Sequence, residues 1–150
     1  MALRLVTALD VVGVFGLELF LTRDRRILIN EVAPRTHNSG HYTLDACVTS
    51  QFEQQLRAVI GASLGSTALT CAAAVMVNLL GFESSTADYL AVRQAIAAIP
   101  GAHVYWYNKG ESRPGRKLGH VTVCVDHDRA DELAAIAQQI EQLWYGQGRD

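Results

Sequence analysis

The sequence predicts an α+β fold in two parts. Near the start, two β-rich runs flank a short polar turn, the pattern of an antiparallel hairpin. Three later stretches space their apolar residues as helices do. A small, polar segment over 61–70 lies between the first of those helices and a second set of strands and helices. It sets two domains, 1–63 and 64–150.

Residues 2–11 read as an amphipathic helix carrying Leu3, Val6 and Leu9, and Gly13 ends it. The chain enters this pattern without N-terminal punctuation, as if a domain were joined midway. Val14–Thr22 alternates and reads as a strand; Arg23–Arg26 is a polar turn and Ile27–Val32 the return strand. With Asp24 and Arg25 as the two turn residues, positions summing to 49 lie opposite each other, so Glu18 faces Glu31. Carboxylates about 5 Å apart on one sheet face repel. Protonation of one, or a cation between them, relieves this. Pro34 ends the strand because it has no N–H for the ladder.

Arg35–Tyr42 has no periodicity and reads as a functional loop. Thr43–Ile60 has helical spacing, with Ser50 as a cap for its main portion and Gly61 as its stop. Beyond the polar segment, Cys71–Leu80 is a buried strand, Asp88–Ala98 a helix closed by Pro100 and Gly101, and His103–Tyr107 a strand. A basic loop, Lys109–Leu118, leads to a last strand, Gly119–Val125. Asp128–Trp144 is a helix capped by Asp128, with Leu133, Ile136, Ile140 and Leu143 on one face and Trp144 and Tyr145 closing it on the core. A polar tail follows.

The chain has 150 residues, 49% of them apolar, and a net charge of −2. That balance gives no general attraction for nucleic acid or an anionic membrane, so any basic site is local. Cys47, Cys71 and Cys124 are far apart and form no CxxC pair, which fits reduced thiols in a cytoplasmic protein. The first ten residues lack the apolar core of a signal peptide, and no apolar run is long enough for a membrane span.

Three groups of residues carry chemistry. Glu18 and Glu31 offer hard oxygens suited to Mg²⁺ on a triphosphate; the plain alternative is a solvated pair of surface acids. Glu18 lies in the apolar context GLELF, where an unpaired charge is costly. Arg35, His37, Asn38, Ser39 and His41 combine a planar cation, proton carriers and orienting groups. Asn38-Ser39-Gly40 is equally ordinary turn chemistry. The HxxxH spacing is not the HExxH zinc pattern. Lys109, Arg113, Arg116 and Lys117 fall within nine residues around a Pro-Gly turn, a loop able to surround a phosphate or simply to face solvent. Tyr105, Trp106 and Tyr107 alternate faces at strand spacing and form no single stacking platform for nucleic acid.

GVFGLELFLT, LINEVAPRTHNSGHYTLDACVTSQFEQQLRAV, VMVNLLG and YNKGESRPGRKLGHVTV resemble the N5-carboxyaminoimidazole ribonucleotide synthetases over nearly the whole chain. These are the ATPase subunits of bacterial phosphoribosylaminoimidazole carboxylase. APR-x-HNSGH together with RPGRK-x-GH carries the resemblance. It implies the last segment of an ATP-grasp domain followed by the family's small C-terminal α/β domain. The implied activity uses ATP and bicarbonate to carboxylate the exocyclic amine of 5-aminoimidazole ribonucleotide. It implies Glu18 and Glu31 on Mg²⁺, Asn30 and Glu31 at the nucleotide, and Arg35 and His37 in catalysis. Asn38, Ser39, Lys109 and Arg116 then hold substrate, the last two at the 5′-phosphate, and the full-length enzyme is a homodimer. Family members also carry a nucleotide-fold domain and the adenine pocket, which this sequence lacks, so the chain alone is expected to be inactive. Two other expectations stand beside it: a non-catalytic phosphoribonucleotide-binding module, and a domain that self-associates through unpaired hairpin edges.

Overall fold

The computed structural model describes residues 2–146, except the side chains of His127 and Asp128. The polar tail and the expected Asp128 cap lie outside the described residues. The chain divides into two compact units, Met1–Ala68 and Leu69–Asp150.

The first unit contains α1 (Ala2–Ala8), β1 (Gly16–Leu21), β2 (Ile27–Ala33), α2 (Thr43–Ala46) and α3 (Gln51–Val59). A 3-10 turn, Asn38–Gly40, interrupts the loop after β2. Ser50 caps α3 as expected, its hydroxyl accepting from the Glu53 N–H at 3.2 Å. Gly61, at φ +68°, follows the helix in the left-handed region open to glycine.

The β1–β2 hairpin corrects the expected turn. Thr22 N–H donates to the Arg26 carbonyl and Arg25 N–H to the Thr22 carbonyl, both at 2.9 Å. The loop is therefore three residues, Arg23 to Arg25, with Arg25 at φ +63°. The Thr22 hydroxyl accepts from Arg26 N–H at 2.9 Å, and Arg26 pairs with Asp24 at 2.7 Å. Hydrogen bonds from Thr22 and then Arg26 hold the Asp24 carboxyl below its ordinary pKa. Next to this turn Leu21, Phe20 and Leu19 oppose Ile27, Leu28 and Ile29. A bulge then shifts the register by one residue, leaving Asn30 as the extra residue, and Glu18 opposes Glu31. Without that extra residue Glu18 would face Asn30, and Glu31 would lie on the other side of the sheet. The expected pairing is present, but the bulge creates it.

The second unit contains β3 (Ala73–Leu80), α4 (Leu90–Ala97), β4 (Ala102–Trp106), β5 (Lys117–Val125) and α5 (Leu133–Tyr145). The sheet is antiparallel in the order β3-β5-β4. Val77, Leu79, Val121 and Val123 on one face pack with Val92 and Ile96 of α4 and Ile136, Ile140 and Trp144 of α5. Trp144 also donates from Nε1 to the Leu80 carbonyl at 2.7 Å. The helices begin later than expected. Asp88 accepts from Leu90 N–H at 2.9 Å, ahead of α4. A 3-10 segment, His127–Glu132, precedes α5. The opposite sheet face carries Asn78, Tyr105, His120 and Thr122.

Burial differs sharply between the units. The second holds a cluster of twelve buried apolar residues. In the first, Ala33 and Ala46 are the buried apolar residues among those described, and Leu19, Phe20, Leu21, Ile27, Leu28 and Ile29 of the hairpin are exposed. No described helix is long and apolar enough to cross a membrane.

Candidate functional site

The acidic pair sits where the bulge puts it. Asn30 Nδ2 donates to Glu18 Oε2 at 3.2 Å. His37 Nε2 stands 3.5 Å from Glu18 Oε1. The other imidazole nitrogen, Nδ1, lies 2.9 Å from Ser39 Oγ and accepts from Ser39 N–H at 3.4 Å. An accepting Nδ1 leaves the ring proton on Nε2, the nitrogen 3.5 Å from the Glu18 carboxylate. Glu18, Asn30, His37 and Ser39 thus form one connected polar chain. The Glu31 side chain is exposed and makes no hydrogen bond or ion pair with a described residue.

Two residues that the sequence reading passed over hold this loop in place. Gln51, 8% exposed at the start of α3, accepts from His37 N–H at 2.9 Å and donates to the His37 carbonyl at 2.8 Å. Its Nε2 also lies 2.7 Å from His41 Nδ1. Gly16 lets the loop approach β1, because a Cβ there would lie 2.6 Å from His37 Cβ. A glycine inside a strand pattern was the available signal. Thr43 completes the brace, donating to the Gly40 carbonyl at 2.6 Å and accepting from Gln51 N–H at 2.8 Å. Arg35 is exposed; its guanidinium donates to the neighbouring Thr36 carbonyl at 3.0 Å and its N–H to the Ala33 carbonyl at 2.9 Å.

The basic loop is built separately, in the second unit. Arg113-Pro114-Gly115-Arg116 is a type II turn: Arg116 N–H donates to the Arg113 carbonyl at 3.0 Å, and Gly115 has φ +78°. Gly81, at the end of β3, anchors it from both sides, accepting from Gly115 N–H and donating to the Arg116 carbonyl, each at 2.8 Å. Arg116 pairs with Glu111 at 3.1 Å. Lys109 Nζ lies 5.4 Å from the centre of the Tyr107 ring. A shallow cleft of about 640 Å³ beside the loop is lined by Ser84, Ser85, Thr86, Glu111, Ser112 and Arg113.

No group of three or more His, Cys, Asp or Glu among the described residues could hold a metal. The donor set at the hairpin still fits Mg²⁺: two opposed carboxylates and an amide oxygen are hard ligands, and this ion draws much of its shell from water and substrate phosphate.

Residues 1–52 match the ATP-grasp domain, and residues 74–135 match the phosphoribosylaminoimidazole carboxylase C-terminal domain. The chain is therefore of the ATP-grasp class. An N5-carboxyaminoimidazole ribonucleotide synthase of Synechococcus elongatus is 55% identical over 147 residues, covering 95% of this chain and 37% of the relative. The crystal structure of the Thermotoga maritima synthetase superposes with a TM-score of 0.77 at 49% identity, over 93% of this chain and 39% of that one. The Aspergillus clavatus synthase, solved with ADP and 5-aminoimidazole ribonucleotide, superposes with a TM-score of 0.77 at 35% identity, over 87% of this chain and 34% of its own. The chain is similar to the N5-carboxyaminoimidazole ribonucleotide synthases over nearly its whole length, and it spans about two fifths of the length of these relatives.

Proposed function

We propose that this chain supplies the metal-holding and substrate-holding parts of a cytoplasmic, homodimeric ligase that carboxylates 5-aminoimidazole ribonucleotide, with residues 1–63 and 64–150 as its two functional divisions. The observation that carries this reading is the Asn30 bulge, which sets Glu31 opposite Glu18 beside His37. Glu18 and Glu31 would hold Mg²⁺, with Asn30 and Glu31 at the nucleotide. The ion's chemical contribution would be to neutralise charge on the ATP phosphates.

In the proposed reaction a bicarbonate oxygen bonds to the γ-phosphorus of ATP and the β–γ bridge breaks, leaving ADP. The substrate amine then bonds to the carboxyl carbon, and the carbon–oxygen bond to phosphate breaks. Arg35 is assigned to the bicarbonate oxygens, and His37 to the proton leaving the amine. Asn38 and Ser39 orient the imidazole ribonucleotide, while Lys109 and Arg116 take its 5′-phosphate.

Placed in the Synechococcus elongatus relative, this segment with Glu31→Gln should lower ADP release at least about a hundredfold while leaving 5-aminoimidazole ribonucleotide binding within about twofold. Unchanged turnover would refute the metal role. The chain on its own is expected to release no ADP in a manner that needs both bicarbonate and the ribonucleotide.

A second reading has its own support. The unit that holds the buried core also holds the basic loop, so sugar-phosphate binding could stand apart from catalysis. Retained turnover with Glu31→Gln, together with binding lost in Lys109→Met, would favour that module.

A further inference from the structure

His120 is buried, 2% exposed, and plays no part in the chemistry above. Its ring lies flat on Tyr105, centroids 4.6 Å apart and planes 9° from parallel. In the ladder it stands between Asn78 of β3 and Tyr105 of β4. Its Nδ1 lies 2.8 Å from the Tyr107 hydroxyl oxygen. Tyr107 is fixed at its backbone as well, donating N–H to the Leu118 carbonyl at 2.9 Å. The chain then turns sharply, with Asn108 at φ +51° and Gly110 at φ +74°, and Lys109 Nζ lies over the Tyr107 ring. The imidazole, the phenol and the ammonium form one continuous series, from the sheet interior to the exposed loop.

We propose that His120 is a positioning residue: through Tyr107 it holds the Lys109 ammonium where the second unit takes up a sugar phosphate. This rests on the assignment of Lys109 to the 5′-phosphate. A lysine side chain has many rotamers, and a free one must be ordered at the moment of binding. A phenol ring fixed at its hydroxyl end gives the ammonium a stationary π face, so part of that ordering precedes the ligand.

The test uses the 150-residue chain, with ribose 5-phosphate as the probe and NMR as the readout. In the unliganded protein the Lys109 ε-methylene protons should be shifted upfield by the Tyr107 ring. Tyr107→Phe keeps the ring and drops the hydroxyl, so it should reduce that shift and weaken ribose 5-phosphate binding about threefold. In a Lys109→Met background the same change should have no further effect on binding. His120→Leu should act like Tyr107→Phe, and His120→Asn, which keeps a polar partner near the hydroxyl, should recover part of the affinity. The inference fails alone if Lys109→Met weakens binding but Tyr107→Phe does not, or if Tyr107→Phe costs as much without Lys109 as with it. An unshifted Lys109 in the wild-type chain refutes it whether or not the probe binds. If the probe does not bind the wild-type chain, or Lys109→Met leaves binding intact, the phosphate assignment falls and the inference falls with it.

Discussion

Replacing Gln51 with alanine removes three side-chain links to the loop, two to the His37 backbone and one to His41. The cost should be about 1–3 kcal/mol in urea unfolding, because partly buried donors and acceptors lose their partner. Amides 37–41 should also lose hydrogen-exchange protection. Gly16→Ala acts on the same loop from the strand side: a methyl cannot share space with His37 Cβ. His37 should move off Glu18, and turnover in the Synechococcus elongatus chimera should fall about tenfold or more, as misplaced catalytic groups do. The sequence showed the polar residues of the loop because they are dense and aperiodic. Gln51 escaped notice because a glutamine opening a helix is ordinary, and its value lies in partners fourteen and ten residues away.

Strands and helices were legible wherever apolar spacing was regular. The hairpin turn was not, since its left-handed position holds Arg25 rather than glycine or asparagine. The start of α5 was displaced because Asp128 has the chemistry of a helix cap, whereas residues 127–132 form a 3-10 segment and the periodic apolar positions begin only at Leu133. Within α5, Ile140 is fully buried, and Ile140→Ala should cost about 3 kcal/mol in guanidinium unfolding. Tyr145 ends the same helix. Burial, then the charge of Glu141, raises its phenol above the ordinary 10.0. A raised acid favours the folded state while protonated, so its contribution is full below the unfolded value and is lost as pH rises through the folded one. Stability should therefore fall more steeply above about pH 10 in the wild type than in Tyr145→Phe, measured by thermal melts across that range.

The whole chain is uneven. Twelve apolar side chains are buried in the second unit, against two alanines among the described residues of the first. Hydrogen exchange should accordingly be faster across β1, β2 and α3 than across β3, β5 and α5. The exposed hairpin should also make the apparent mass from light scattering rise with protein concentration, and charged substitutions at Phe20 and Leu28 should suppress this. Family and fold class were readable because motif and periodicity are local. Burial was not, because it depends on what surrounds a strand rather than on its letters. The single extra residue in β2 has one more implication. With the three-residue turn in place, a straight hairpin would set the two acids on opposite sides, whereas the kinked one sets both on one side. A substitution that favoured the straight form by about 1.4 kcal/mol would lower the kinked-to-straight ratio tenfold. Such a variant would keep both proposed ligands, Glu18 and Glu31, and still weaken the hold on Mg²⁺ proposed for them.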